Sequence, residues 1–81
     1  MTEVSSTKLN RLKGALAAGE PSFGLFATIP SIQTVQTLAS TGVDWLIIDM
    51  EHSPIDVSSA HAMIVATAGT TTVPFVRLPW F

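Results

Sequence analysis

The chain is 81 residues long, enough for one small domain, and a domain of this length hides only about 60–65% of the surface that its unfolded chain exposes. Hydrophobic residues make up 47% of it and charged residues only 12%, so we expect apolar surfaces that are covered by other subunits or, as we favour, by the remainder of a longer chain. Four lysine and arginine residues and a net charge of -2 exclude the basic stripe of a nucleic-acid-binding protein and the polybasic patch of a membrane-surface protein.

A first helix is predicted from Lys8 to Gly19. Ser6 or Thr7 can cap its start, and Gly19 with Pro21 ends it. The apolar residues of this segment fall on one face: Leu9, Leu12, Ala15 and Leu16. This amphipathic pattern differs from the continuous apolar core of a signal peptide, and no apolar run of the chain approaches the roughly 18 residues that cross a bilayer.

A short strand is predicted next, from Ser22 to Thr28. Its Gly24 lacks a side chain and permits close approach of a neighbouring backbone or a ligand. A second helix follows, with Ser31 as its cap and Gly42 as its left-handed terminator. Its apolar residues repeat at helical spacing: Ile32, Val35, Leu38 and Ala39.

The segment from Asp44 to Pro54 switches abruptly from apolar to ionisable residues. Trp45 to Ile48 is a continuous apolar run, typical of a strand that is buried on both faces of a parallel sheet. Asp49 and His52 follow directly. A carboxylate in this position is costly to desolvate unless it is hydrogen-bonded or ion-paired, and His52 is close enough in sequence to be its partner. The pair can therefore act as an oriented base.

A third helix and a third strand complete the pattern. Asp56 can cap a helix that ends at Gly69, with one side formed by Val57, Ala60, Ile64 and Ala68. Val73 to Leu78 is the strand, with Pro74 near its start and Pro79 closing it. The order βαβαβ predicts an α/β fold with a parallel sheet and right-handed crossovers. This period alone fits the start of a TIM barrel or a small doubly wound sheet.

Chemically active side chains follow the strand ends. Thr28 ends the first strand, Asp49, Glu51 and His52 the second, and Arg77 the third. In parallel α/β folds these ends meet at one rim, where functional groups collect. If the second and third strands are neighbours, His52 and Arg77 can reach a common small anion, and an oxo acid suits them.

Each of these residues also has a purely structural interpretation. His52 can be a solvent-facing turn histidine, and Arg77 a surface charge on an edge strand. Glu51 can be a metal ligand, an acid behind the site or a partner that caps a helix. For Asp49 we favour bracing of His52 over ligation, because acids and a histidine this close in sequence rarely all reach one metal. His61 carries no motif, and we expect it to be structural.

The chain resembles the N-terminal part of the HpcH/HpaI aldolase family. The resemblance lies in the segment Gly42–Pro54 (GVDWLIIDMEHSP), in the first helix, in Gly24-Leu25-Phe26 and in the strand that leads to Arg77. It covers nearly the whole chain but only the opening part of a family member. It implies that residues 1–81 are the N-terminal portion, βαβαβ with a preceding helix, of a TIM (β/α)8 barrel that is truncated after the third strand.

This resemblance also implies a function. Family members are metal-dependent class II aldolases that cleave 4-hydroxy-2-oxo acids to pyruvate and an aldehyde. By that likeness His52 is the general base acting with Asp49, and Arg77 binds the substrate oxygen on which enolate charge develops. We expect Glu51 to lie behind these residues, out of contact with the substrate. The divalent metal, Mg, Mn or Co, is expected on later acidic residues beyond Phe81. The metal site is thus not within this chain, and the isolated 81 residues are expected to be inactive.

The partners implied are a small-molecule 2-oxo acid and an aldehyde, with neither nucleic acid nor membrane, in a homo-oligomeric parent. The absence of cysteine fits a cytoplasmic enzyme. Two alternatives stay open. One is a citrate-lyase-type or sugar-acid aldolase of the same barrel group, and the other is a non-catalytic α/β module that buries its sheet edges against a partner chain.

Overall fold

Three parallel strands form the centre of the structure, a computed structural model that describes residues 8–79. The strands lie in the order β1-β2-β3, and both pairings are parallel. Helices alternate with them along the chain. The bounds are α1 Lys8–Ala17, β1 Gly24–Ala27, α2 Ile32–Ser40, β2 Trp45–Asp49, α3 Val57–Ala66 and β3 Val73–Arg77. The α/β class, the βαβαβ order and the adjacency of the second and third strands are confirmed.

The predicted starts of α2 and α3 are also confirmed, whereas α3 ends at Ala66, before the predicted end at Gly69. The Ser31 hydroxyl accepts the backbone N–H of Thr34 at 3.1 Å, and the Asp56 carboxylate accepts that of Ser59 at 2.7 Å. Each bond satisfies one of the donors that a helix start leaves unpaired. Gly42 follows α2 with a φ of 86°, a conformation that costs glycine little. The cap predicted at Ser6 or Thr7 lies outside the described residues.

The core lies on one side of the sheet, beneath α2 and α3. Leu46 and Ile48 of β2 are fully buried, whereas Trp45 and Ile47, which alternate with them, are only partly covered. This alternation follows from the two-residue period of a strand. The buried cluster consists of Ala27, Val35, Leu46, Ile48, Ile55, Ala60 and Met63. The opposite face of the sheet, which carries Trp45, leads directly to the ionisable residues at the end of β2.

The predicted face of α3 is wrong in part. Ala60 is buried as expected, but Met63 and Thr67 complete the buried stripe, while Val57 is 74% exposed and Ile64 is 38% exposed. Both choices satisfy the i, i+3, i+4 spacing of a helix. Because α3 is apolar on most sides, its sequence does not specify which stripe faces the sheet.

Gly24 is required for the packing of β1 against β2. It pairs in register with Trp45, and a Cβ atom built on Gly24 would collide with the indole ring. The indole Nε1 donates to the Ser22 hydroxyl at 3.3 Å. The close approach predicted at Gly24 is therefore that of a neighbouring side chain, and it fixes the position of the ring.

None of the helices within residues 8–79 is long and apolar enough to cross a membrane. Trp80 and Phe81 lie outside the described residues.

Candidate functional site

The site is built where β2 and β3 end side by side. Asp49 is the last residue of β2, Arg77 is the last residue of β3, and the two are partners in the strand register. The backbone N–H of Met50 donates to the Arg77 carbonyl at 3.0 Å and extends the pairing by one step. Since partners in register point to the same face of a sheet, the two side chains start next to each other.

Asp49 and Arg77 form a forked ion pair. Arg77 Nε donates to Asp49 Oδ1 at 3.2 Å, and Nη2 donates to Oδ2 at 2.7 Å. The carboxylate is only 2% exposed. Its Oδ1 also accepts the backbone N–H groups of Glu51 and His52, at 2.9 and 3.0 Å. A buried carboxylate is thus paired and hydrogen-bonded on both oxygens, which offsets the cost of its desolvation.

These bonds shift both ionisation equilibria toward the charged pair. The Arg77 hydrogen bonds hold the pKa of Asp49 well below its usual range, against the opposing effect of burial, and the two backbone N–H groups add to the lowering. The same contact with Asp49 raises the pKa of Arg77. Asp49 therefore stays ionised at neutral pH, and it is not a proton donor or acceptor there.

His52 lies beside the pair with its ring open to solvent. The side chain is 63% exposed, and its Nδ1 is 3.0 Å from Arg77 Nη2 but 3.6 Å from Asp49 Oδ2. The longer distance is beyond a hydrogen bond. Asp49 thus hydrogen-bonds the backbone N–H of His52, whereas its contact with the ring is an ion-pair distance. The bracing of His52 as a base stays a prediction. Because a guanidinium can only donate, Nδ1 accepts, and a neutral ring then carries its hydrogen on Nε2.

Glu51 adds a second acid at the rim. Its Oε1 lies 3.5 Å from Arg77 Nε and 3.9 Å from His52 Nδ1. It does not cap α3, since Asp56 does so. Glu51 is therefore a second negative charge beside Arg77. Its role as a metal ligand or as an acid behind the site stays a prediction.

These residues do not fit a divalent metal. No group of three or more histidine, cysteine, aspartate or glutamate side chains within residues 8–79 is arranged to hold one. Asp49 already accepts four hydrogen bonds, so its oxygens are committed. Thr28 is exposed past the end of β1, and His61 is exposed on α3. Neither belongs to the described cluster, as expected for His61.

Phe26 belongs to the cluster, although its sequence context indicated only a strand residue. The Arg77 Cζ atom lies 5.2 Å from the centre of the Phe26 ring, and Trp45 meets that ring edge-on at 6.4 Å. Phe26 is the register partner of Ile47, two positions before Asp49 and therefore on the same face. With the β1–β2 register known, the two-residue spacing between Ile47 and Asp49 would have placed Phe26 on the same face as Asp49.

Arg77 keeps part of its donor capacity free. The guanidinium has five N–H donors, and within residues 8–79 three of them are used, by Asp49 and His52. Both hydrogens of Nη1 lack an acceptor among these residues, and the side chain is 40% exposed. Nη1 points away from the Asp49 fork, because Nε and Nη2 form the opposite edge of the group. The cluster can therefore bind a small oxygen acceptor at Nη1.

Comparisons with known proteins agree on one family. The family model described as HpcH/HpaI aldolase/citrate lyase matches residues 22–80. A hydroxypyruvate/pyruvate aldolase from Paraburkholderia phytofirmans is 46% identical over 72 residues, which are 89% of this chain and 27% of that protein. A 5-keto-4-deoxy-D-glucarate aldolase from Salmonella paratyphi A is 39% identical over 70 residues, 86% of this chain and 27% of that protein.

Solved structures show the same fold. A HpcH/HpaI aldolase/citrate lyase family protein from Burkholderia cenocepacia J2315 superposes with a TM-score of 0.78 at 38% identity, over 86% of this chain and 28% of that one. A citrate synthase superposes with a TM-score of 0.75 at 31% identity, over 84% of this chain and 28% of that one. This likeness confirms the predicted fold class, the N-terminal portion of a TIM barrel. The chain spans little more than a quarter of the length of these relatives.

Proposed function

The chain belongs to the HpcH/HpaI aldolase/citrate lyase family, and from that premise we propose that it supplies the oxo-acid-binding and proton-transfer residues of a metal-dependent class II aldolase. The reaction is the cleavage of a 4-hydroxy-2-oxo acid to pyruvate and an aldehyde. The observation that carries this proposal is the free Nη1 edge of Arg77 beside the exposed imidazole of His52. A group that donates hydrogen bonds to anions therefore lies beside an imidazole ring at the carboxyl ends of parallel strands, where such folds hold their active sites.

Arg77 serves the oxygen on which charge develops. In the cleavage direction a base takes the proton of the 4-hydroxyl group, and the bond between C3 and C4 breaks. The electron pair of that bond forms the enolate of pyruvate, with the charge on the C2 oxygen, and proton return to C3 completes pyruvate. The fork to Asp49 fixes the guanidinium beforehand, so the Nη1 hydrogens stabilise the enolate without reorganisation.

His52 is the base in this proposal. Its Nδ1 lone pair is engaged by Arg77, and proton uptake at Nδ1 requires that hydrogen bond to break. In this proposal the oxo acid binds at the free Nη1 donors, and its hydroxyl group displaces the Nη2 donor from Nδ1, which frees the lone pair when the substrate is bound. Base strength and substrate binding are thereby coupled through one guanidinium. An imidazole is suited to the role because it gains and loses a proton near neutral pH.

The metal belongs to the proposal and not to the described cluster. A divalent ion, Mg, Mn or Co, would polarise the oxo acid. Residues 8–79 contain no group of side chains arranged to hold a metal, so the ligands are proposed to lie outside this range. The 81 residues alone are accordingly expected to be inactive. The homo-oligomeric state and cytoplasmic location implied by the resemblance stay predictions.

Substrate choice within the family stays part of the proposal. The names of the two relatives refer to aldolases, whereas one solved neighbour is a citrate synthase. Pyruvate, glucarate and citrate are all carboxylates with an adjacent oxygen, which a guanidinium recognises well. We favour cleavage of 4-hydroxy-2-oxo acids, because an aldolase name accompanies the highest of these identities.

The decisive experiment measures pyruvate release from a 4-hydroxy-2-oxo acid by the whole protein that carries this chain, with magnesium, manganese or cobalt added in turn. Metal-dependent release supports the proposal. Cleavage of citrate-type substrates in place of 4-hydroxy-2-oxo acids would move the assignment to the alternative, and no turnover of either class with any metal would leave only the non-catalytic module. The isolated 81 residues serve as the control and should release no pyruvate.

A further inference from the structure

Arg77 reaches across the sheet. The strand order places β2 between β1 and β3, yet the guanidinium of Arg77 on β3 contacts the ring of Phe26 on β1. Two strand spacings separate their backbones by about 9.6 Å. The side chain therefore leans over the end of β2, where it also meets Asp49. Its guanidinium lies between a carboxylate at its edge and an aromatic ring.

The two contacts restrain different motions. The Asp49 fork uses Nε and Nη2 and fixes the guanidinium within its own plane. Two parallel hydrogen bonds resist tilting out of that plane less well, since the group can swing about the edge that holds them. A ring 5.2 Å from Cζ opposes this swing, because the negative face of the ring attracts the cation. Phe26 thus supplies the restraint that Asp49 lacks.

Phe26 contributes little to the packing of the described residues. Its side chain is 52% exposed although it is large and apolar, and it lies outside the buried cluster. Trp45 holds the ring edge-on, at an interplanar angle of 88°. This T-shaped arrangement is favoured between aromatic rings. The indole is in turn hydrogen-bonded to Ser22 and pressed against Gly24. A chain of contacts therefore fixes the ring that faces Arg77.

We propose that Phe26 is a positioning residue for Arg77: its ring holds the guanidinium so that the free Nη1 donors stay aimed at the oxo-acid oxygen. The inference rests on the proposed function for the identity of that ligand, but the restraint itself is a property of the chain. At an exposed site this contact should change oxo-acid affinity by about two- to fivefold. Phe26 does not touch the reacting atoms in this scheme.

The test compares three variants by two measurements. Phe26→Leu keeps much of the volume without the aromatic face, Phe26→Trp restores an aromatic face, and Phe23→Leu is the matched control on an exposed phenylalanine of the same segment. The first measurement is the NMR signal of the Arg77 Nε–H group in the protein, for its ring-current shift and its exchange with water. The second is the affinity for pyruvate, with KM and kcat for the cleavage reaction.

Phe26→Leu should move the Arg77 signal, speed its exchange and weaken pyruvate binding about two- to fivefold, with the loss in both KM and kcat because Nη1 also serves the oxygen on which charge develops. Phe26→Trp should restore all three, and Phe23→Leu should leave them unchanged. Unaltered Arg77 exchange and affinity in Phe26→Leu would overturn the positioning role. If Phe26→Leu frees Arg77 but the native protein binds no pyruvate, the positioning role stands and the proposed function fails.

Discussion

The Asp49 carboxylate and the Arg77 guanidinium close a two-bond fork, 3.2 and 2.7 Å long, between the last residues of neighbouring strands. The fork consumes the donor edge that an arginine commonly offers to a carboxylate ligand. Substrate recognition by Arg77 then depends on the opposite nitrogen, Nη1. The arginine is at once a structural partner of a buried acid and a ligand-binding group, so substitutions there affect both properties.

Arg77→Lys should weaken oxo-acid binding and also lower stability. A lysine retains the charge, but it cannot satisfy both Asp49 oxygens and still offer a further pair of donors. Loss of charge-assisted hydrogen bonds to the substrate predicts affinity reduced on the order of tenfold or more. Isothermal titration with pyruvate and a denaturant melt measure the two effects. Arg11→Lys in α1 is the matched control for pyruvate affinity, and an equal loss of affinity in both variants would contradict a specific role for Arg77.

His52→Ala should lower kcat by about 10²–10⁴-fold while stability and metal affinity stay nearly native. The ring is 63% exposed and lies outside the buried cluster, so its removal leaves no cavity. His61→Ala is the matched control, since His61 is exposed on α3 away from the site. Near-normal turnover in His52→Ala would remove the base assignment. Metal lost in proportion to activity would instead make His52 a ligand.

Acid should destabilise the protein through Asp49. Its pKa is lowered in the folded state, whereas the unfolded chain has an ordinary value of about 3.9. Its contribution to stability is therefore complete above that value and is lost as pH falls through the folded-state pKa. Denaturant melts of the native protein and of Asp49→Asn between neutral pH and about pH 2 give the free energy of unfolding of each as a function of pH. The stability difference between the two should shrink on acidification, and a difference that is constant with pH would contradict the ion pair.

Asp56 provides the control for that measurement. Its pKa is also lowered, chiefly by the Ser59 backbone N–H, so it loses stabilisation in the same direction. Asparagine caps helices about as well as aspartate. Asp56→Asn should therefore change stability little at neutral pH, unlike Asp49→Asn, which leaves Arg77 without its anionic partner.

Gly24→Ala should destabilise the fold by about 1–3 kcal/mol, the usual cost of overpacking. The new methyl group has to displace the Trp45 indole. Gly14→Ala makes the same chemical change in α1, where nothing lies within 4 Å of the added carbon, and should stabilise by about 0.5–1 kcal/mol. In thermal melts, Gly24→Ala should lower the Tm and Gly14→Ala should raise it if the contact is as described. Two stabilised variants would show that Trp45 moves aside without cost.

Local rules were sufficient for most of the fold. Ser31 and Asp56 are helix caps because their side chains accept hydrogen bonds from backbone N–H groups three residues further along. Such short-range interactions can be predicted from the sequence. The same holds for Gly42 and for the apolar run that becomes β2. The face of α3 was predicted poorly, because Met63, Ile64 and Val65 are consecutive and all apolar. Tertiary packing alone selected Met63.

The residues that gather in the cluster were predicted from the sequence, but the contacts between them were not. Asp49, His52 and Arg77 do gather at one rim, yet the main partner of Asp49 is Arg77, 28 positions away, and not His52. Proximity in sequence favoured His52, whereas the β2–β3 register decided for Arg77. Phe26 was missed for the same reason, since its contact with Arg77 spans two strand pairings. Register is a long-range property that a local pattern does not specify.

The pairing of one guanidinium with two acids affects how fast an anion arrives. Asp49 and Glu51 both lie within ion-pair distance of Arg77, and with His52 counted neutral at pH 7 the cluster retains one unbalanced negative charge. Its field at long range therefore repels an oxo-acid anion, although Nη1 attracts the same molecule on contact. Added salt screens that repulsion at distances beyond roughly a Debye length, about 8 Å at 0.15 M. In the absence of metal, the association rate of an oxo-acid anion should therefore rise with ionic strength.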